Sequence, residues 1–148
     1  MYSLPLLLRA SHAALLLVFC LQLGTNTAQE DPAARQSIIM DFQVPQVTRS
    51  TEEVTGKLVV QTELRECMAI KTYLVSSKPI DGPFNYRYTS CLCDDYPRTF
   101  YWDFQVNSTV RMAAVVDVVP QLGICPNDEA VIPIKANRFT LLKTLFVI

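Results

Sequence analysis

Eight consecutive residues, Thr99-Phe-Tyr-Trp-Asp-Phe-Gln-Val106, alternate strictly between two kinds of side chain. Phe100, Trp102, Phe104 and Val106 fall on one side, and Thr99, Tyr101, Asp103 and Gln105 on the other. A period of two belongs to a half-buried strand, because a helix would scatter the same apolar residues around its axis. The pattern returns downstream, where Val110, Met112, Ala114, Val116 and Val118 align against Arg111 and Asp117. Upstream, Val54, Leu58, Val60 and Leu64 face together while Lys57, Gln61 and Glu63 face away. Further strands are expected at residues 38–44, 67–76, 84–93, 130–134 and 139–148. Turn residues separate them at Lys78-Pro79-Ile80-Asp81-Gly82-Pro83, Tyr96-Pro97 and Cys125-Pro126-Asn127-Asp128. No stretch carries a helical period. The expected fold is an all-β, antiparallel β-sandwich of about seven strands.

The first 28 residues stand apart from this pattern. Arg9 and His12 precede an eleven-residue apolar run, Ala13 to Leu23, followed by Gly24-Thr25-Asn26-Thr27-Ala28. A basic start, a short apolar centre and a small residue at the cut describe a secretory signal peptide. The run is well short of the roughly 20 residues that span a membrane. Cleavage after Ala28 leaves 120 residues as one domain beginning at Gln29, which can cyclise to pyroglutamate. The exported body is expected to be a soluble, extracellular monomer with no membrane span. It carries 12 Lys and Arg against 14 Asp and Glu, without a basic run, which argues against nucleic acid as a partner. The single histidine of the chain, His12, departs with the leader. A Ser-His-Asp or Cys-His nucleophile and a His-ligated zinc site therefore lack their imidazole. No cofactor or metal is expected.

Four of the five cysteines, Cys67, Cys91, Cys93 and Cys125, belong to the exported body. An even number in a small exported domain reads as a disulfide framework. The rival reading, a metal loop at Cys91-Leu-Cys-Asp-Asp95, lacks both the usual two-residue spacing and histidine support. Cys91 and Cys93 point to the same side of a strand about 6–7 Å apart, so joining them to each other demands a sharp kink. Two pairings remain: 67–93 with 91–125, or 67–91 with 93–125. Either bridge contributes about 3–4 kcal/mol in the chain-entropy model. Cys67, Cys91 and Cys93 fall off the apolar faces of their strands, which suits a staple along a sheet edge better than a pin between sheets.

Asn107-Ser-Thr109 is the one N-glycosylation sequon, in an expected turn between two strands. The acidic pairs Glu52-Glu53 and Asp94-Asp95 are neighbours along the chain, so their carboxylates point apart and read as solvated surface. Asp81-Gly82 sits among prolines and reads as a turn. Tyr86, Tyr88, Tyr96 and Tyr101 form a candidate aromatic binding patch. Tyr101 is the one expected to be exposed, and ordinary sheet packing is the expectation for the others.

From Leu64-Arg-Glu-Cys67 onward the chain resembles the seminal vesicle autoantigen family. The likeness runs through Phe84-Asn-Tyr-Arg-Tyr-Thr-Ser-Cys-Leu-Cys-Asp-Asp95, Thr99-Phe-Tyr-Trp-Asp-Phe104, Ala113-Ala-Val-Val-Asp-Val118, Leu122-Gly-Ile-Cys-Pro126 and Ala130-Val-Ile-Pro-Ile-Lys135. It extends to the leader, with Cys20-Leu-Gln-Leu-Gly24 and the Ala28-Gln29 junction, and so covers nearly the whole chain. The resemblance implies an immunoglobulin-like sandwich secreted into exocrine fluids. It implies the bridges Cys67–Cys93 and Cys91–Cys125, a glycan on Asn107 and pyroglutamate at Gln29. It implies roles in immune modulation and mucosal defence, with immunoglobulin G, a T-cell co-receptor, actin, fibrinogen and zinc-α2-glycoprotein as partners. An aspartic-type endopeptidase activity is also ascribed to the family, and its carboxylate falls at Glu52. The residues speak against that activity, since no Asp-Thr-Gly or Asp-Ser-Gly is present and the chemistry needs two carboxylates sharing a proton.

Overall fold

A computed structural model describes residues 35–148. The leader at 1–28, the new N-terminus at Gln29 and the start of the arm that follows lie outside the described residues. Eight strands follow in order: β1 Ile39–Gln43, β2 Val47–Thr48, β3 Glu53–Gln61, β4 Met68–Ser76, β5 Tyr88–Leu92, β6 Arg98–Gln105, β7 Val110–Val119 and β8 Arg138–Val147. They form a three-stranded sheet, β1-β3-β6, and a five-stranded sheet, β2-β8-β7-β4-β5. All pairings are antiparallel except β2 with β8, which is parallel and two residues long. The expectation of an immunoglobulin-like all-β sandwich with two disulfides holds, with this short parallel strand as an addition to it.

The alternating faces meet as the sequence dictates. Phe100, Trp102 and Phe104 of β6 and Val54, Leu58 and Val60 of β3 pack with Met68, Ile70 and Leu74 of β4 and with the even-numbered residues of β7. Burial of each large apolar side chain is worth about 1.5–3 kcal/mol. Gly56 on β3 faces inward, where a Cβ would meet ring carbons of Phe42 at 3.3 Å and Phe104 at 3.6 Å. The missing side chain lets two phenylalanines close over the strand. β4 and β7 are interior strands of the larger sheet, and they bury Ala69, Tyr73, Ala113 and Val115 on the outer face as well.

Two expected strands are replaced. Residues 84–93 divide into a 3₁₀ turn, Gly82–Asn85, and the shorter β5. Pro83 at the turn's start favours it, the Tyr86 N–H closes it onto the Pro83 carbonyl, and Asn85 Nδ2 donates to the Ile80 carbonyl at 2.7 Å. Phe84 still reaches the core, its ring 5.1 Å edge-on from Phe104. Residues 130–134 are not a strand. Pro133 removes a ladder donor, and the segment is tied through the Val131 N–H to the Cys67 carbonyl at 3.3 Å.

Candidate functional site

β5 and β6 sit in different sheets, and the chain between them turns the corner of the sandwich. Both edges at this corner are finished by side chains. On β6, the Tyr88 hydroxyl donates to the Tyr101 carbonyl at 2.6 Å, and the Trp102 indole N–H donates to the Tyr86 carbonyl at 2.9 Å. The Tyr88 ring lies 4.7 Å from Tyr86, 5.2 Å from Phe100 and 5.3 Å from Trp102, in tilted and edge-to-face contacts that suit the ring quadrupoles. On β5, Arg98 Nε donates to the Cys91 carbonyl at 2.8 Å. The same guanidinium reaches the Tyr96 carbonyl at 2.7 Å and the Asp95 carboxylate at 3.3 Å, and lies 3.9 Å above the Tyr96 ring.

This scaffold presents Tyr86, Tyr96 and Tyr101 to solvent, at 58 %, 60 % and 52 % exposure, while Tyr88 is half-buried beneath. Tyr101 is exposed as its strand phase requires. Tyr86 and Tyr96 correct the expectation of sheet packing: Tyr86 leaves the strand at the 3₁₀ turn, and Tyr96 caps the β5–β6 connection. Tyr86, Tyr88 and Tyr101 gather along the β6 edge, and Tyr96 stands at the connection on Arg98. Arg98, missed by a reading of apolar phase, is what joins them to the cysteine strand.

Two bridges fix the same corner. Cys67, before β4, is joined to Cys93, after β5, and Cys91 of β5 to Cys125 in the β7–β8 connection. This is one of the two pairings the residues left open, and it staples the β5 edge instead of pinning one sheet to the other. Glu129 accepts from the Cys67 N–H at 2.9 Å and ties the long connection down again. The sulfurs of Cys67, Cys91 and Cys93 lie within 4.8 Å of one another. Each is committed to a disulfide, so none is the thiolate a metal requires.

The remaining sequence candidates sit elsewhere. Asn107 is exposed in the turn between β6 and β7, beside Ser108, whose hydroxyl is 2.9 Å from Lys78 Nζ. Glu52 stands in the exposed turn between β2 and β3, after Thr51 at φ 65°. Among the described residues its carboxylate makes no hydrogen bond or ion pair. Asp81 and Gly82 form a turn, with Gly82 at φ 83°. On the outer face of the larger sheet, Arg138 Nε binds the Asp117 carboxylate at 2.7 Å and the Tyr73 hydroxyl donates to it at 2.9 Å. Burial pushes that carboxyl up, but the hydrogen bonds from Arg138 and Tyr73 and the Arg138 charge outweigh it and hold Asp117 below the usual carboxylate range. Burial and the bond to Asp117 push the Tyr73 phenol up. Among the described residues no helix is long and apolar enough to cross a membrane.

Comparison with known proteins agrees with the arrangement. The family model described as seminal vesicle autoantigen matches residues 3–128. The prolactin-inducible protein homolog of Bos taurus is 64% identical over 98% of this chain and 99% of its own length. Prolactin-inducible protein of Homo sapiens is 60% identical over 99% of both chains. Among solved structures, a chain of the complex between zinc α2-glycoprotein and prolactin inducible protein from human seminal plasma superposes with a TM-score of 0.76 at 56% identity. The match covers 80% of this chain and all of that one.

Proposed function

The chain belongs to the seminal vesicle autoantigen family, and from that membership we propose that it is a secreted glycoprotein that works by binding other proteins through the tyrosine surface at the β5–β6 corner. The observation that carries this reading is the exposure of Tyr86, Tyr96 and Tyr101 on a scaffold locked by two disulfides, Arg98 and the Tyr88 and Trp102 hydrogen bonds. Tyrosine offers wide amphipathic contact with two rotatable bonds, and a fixed support lowers the ordering cost of binding. The partner best supported is zinc-α2-glycoprotein, because a relative 56% identical is solved in complex with it. Immunoglobulin G, actin, fibrinogen and a T-cell co-receptor are further partners of the same reading. Export through the leader at 1–28, pyroglutamate at Gln29 and a glycan on Asn107 complete it.

Binding of purified zinc-α2-glycoprotein, followed by surface plasmon resonance, tests the proposal. The hydrogen bonds that Tyr86 and Tyr101 accept run through their carbonyls, so Tyr86→Ala and Tyr101→Ala together keep those bonds and remove from the support only the edge contact of the Tyr86 ring with Tyr88. The double variant is expected to bind at least about tenfold more weakly, as loss of aromatic anchors does. Unchanged affinity in a variant with native thermal stability overturns the assignment of this surface.

A further inference from the structure

β6 is a border strand of the three-stranded sheet and pairs with β3 in unbroken register. Two bonds fix which way its backbone groups point. The Tyr101 carbonyl faces outward, where it accepts from Tyr88, and the Val106 carbonyl faces the β3 side, where it accepts from the Thr51 N–H at 3.0 Å. By the alternation of an antiparallel strand, the N–H and C=O groups of Asp103 and Gln105 face outward. Among the described residues no strand pairs with them. Between this edge and the loop 78–83 lies a cleft of about 530 Å³, and Asn107 of the sequon is one of its lining residues. The loop wall is held in place: the Ser76 hydroxyl donates to the Lys78 carbonyl, and Ser77 exchanges bonds with the Arg111 backbone at 2.8 and 3.1 Å. Lys78 Nζ donates to the Ser108 hydroxyl at 2.9 Å and ties the loop to the sequon turn. Ile80 and Phe104 give the cleft an apolar wall, while Glu53, Asp81 and Asp103 add carboxylates.

We infer that this cleft seats the chitobiose core of the glycan on Asn107, so that the chain's own sugar covers the open end of β6. The inference rests on the glycan proposed for that residue. An N-acetylglucosamine unit carries an acetamido group, which offers one donor and one acceptor as a peptide unit does. It can therefore pair with the outward groups of Asp103 and Gln105 in the manner of a neighbouring strand. Sugar hydroxyls donate to carboxylates, and the acetyl methyl and the less polar ring face suit Ile80 and Phe104. Three carboxylates against the single cation of Lys78 disfavour an anionic occupant and leave a neutral, hydroxyl-rich one. The tether supplies the rest. Asn107 stands two residues beyond Gln105, about 7 Å along the strand, so the first sugars are held at the cleft mouth. Tethering on that scale corresponds to an effective concentration on the order of millimolar, enough for weak contacts to be occupied.

Amide hydrogen exchange by nuclear magnetic resonance, on the full chain secreted from mammalian cells and on its Asn107→Gln variant, tests the inference. Intact mass first scores the glycan. In the glycosylated protein the Asp103 and Gln105 amides are expected to exchange at least about tenfold more slowly than in Asn107→Gln. Thr99, on the same outward edge but four residues before Asp103, is expected to exchange equally in both. Should Asn107→Gln fail to fold, release of the glycan from the folded protein by a peptide N-glycosidase supplies the comparison. A second readout is independent of exchange: nuclear Overhauser contacts are expected between the acetamido methyls of the core and the Ile80 side chain. A secreted chain that carries no glycan sinks the reading of Asn107 and the inference with it. A glycosylated chain in which Asp103 and Gln105 exchange as fast as without the sugar, or in which no contact to Ile80 appears, overturns the inference alone.

Discussion

At β5 the five-stranded sheet ends in a strand held by two disulfides, with Arg98 on one of its carbonyls, whereas at β8 the same sheet ends in a strand whose outer cover is two residues of β2. The apolar cores beneath these ends are continuous, so the difference lies in how each border is finished. Unpaired edge groups are a template for other strands, and a small domain must cover or use them. The covalent end holds exposed side chains in place and suits recognition by side chains. The uncovered end offers backbone and suits recognition by another strand.

Three perturbations sharpen the contrast. The largest effect is expected from Cys91→Ser with Cys125→Ser, which opens a bridge spanning 34 residues. The chain-entropy model puts the loss at about 4 kcal/mol. Calorimetry should then show a melting temperature lower by about 15 °C. If stability instead fell by less than about 1 kcal/mol, the β5 edge would not depend on its staple.

Arg98→Ala comes next. It removes a guanidinium that is mostly buried and donates to the carbonyls of Cys91 and Tyr96. A loss of about 2 kcal/mol in urea unfolding is expected, the scale of hydrogen bonds from a charged donor. It should be accompanied by weaker partner binding, because Tyr96 loses its support. Stability falling while binding stayed intact would separate Tyr96 from the recognition surface.

The smallest effect belongs to the open side, where Asp117 clamps Arg138 at the start of β8. A carboxyl held below its unfolded value stabilises the fold above that value and ceases to do so as pH falls through the folded one. The native protein should therefore lose part of its stability below about pH 4, and Asp117→Asn should flatten that part of the profile. Identical melting profiles from pH 5 to pH 2 would mean that the clamp contributes nothing to the border.

Much of this arrangement was legible in the residues. The phase of Phe100, Trp102 and Phe104 against Tyr101 placed both faces of β6, and the off-phase cysteines indicated an edge staple. What escaped has specific causes. The exposure of Tyr86 depends on Pro83 and Asn85 bending the chain out of a strand, a choice made by two local hydrogen bonds and invisible to apolar phase. The strand expected at 130–134 fails because Pro133 breaks the ladder within a short apolar run. β2 is two residues long and carries no period at all. The reach of Arg98 to Cys91 and the inward-facing Gly56 are tertiary facts, set by which strands adjoin.

Hydroxyl-radical footprinting with and without purified zinc-α2-glycoprotein tests the central claim most directly, since it reads tyrosine, leucine and phenylalanine side chains in one experiment. Tyr86, Tyr96 and Tyr101 are expected to be shielded in the complex, while Leu142 and Phe146 at the opposite border react as before. Shielding of Leu142 and Phe146 with the three tyrosines unprotected would contradict the account.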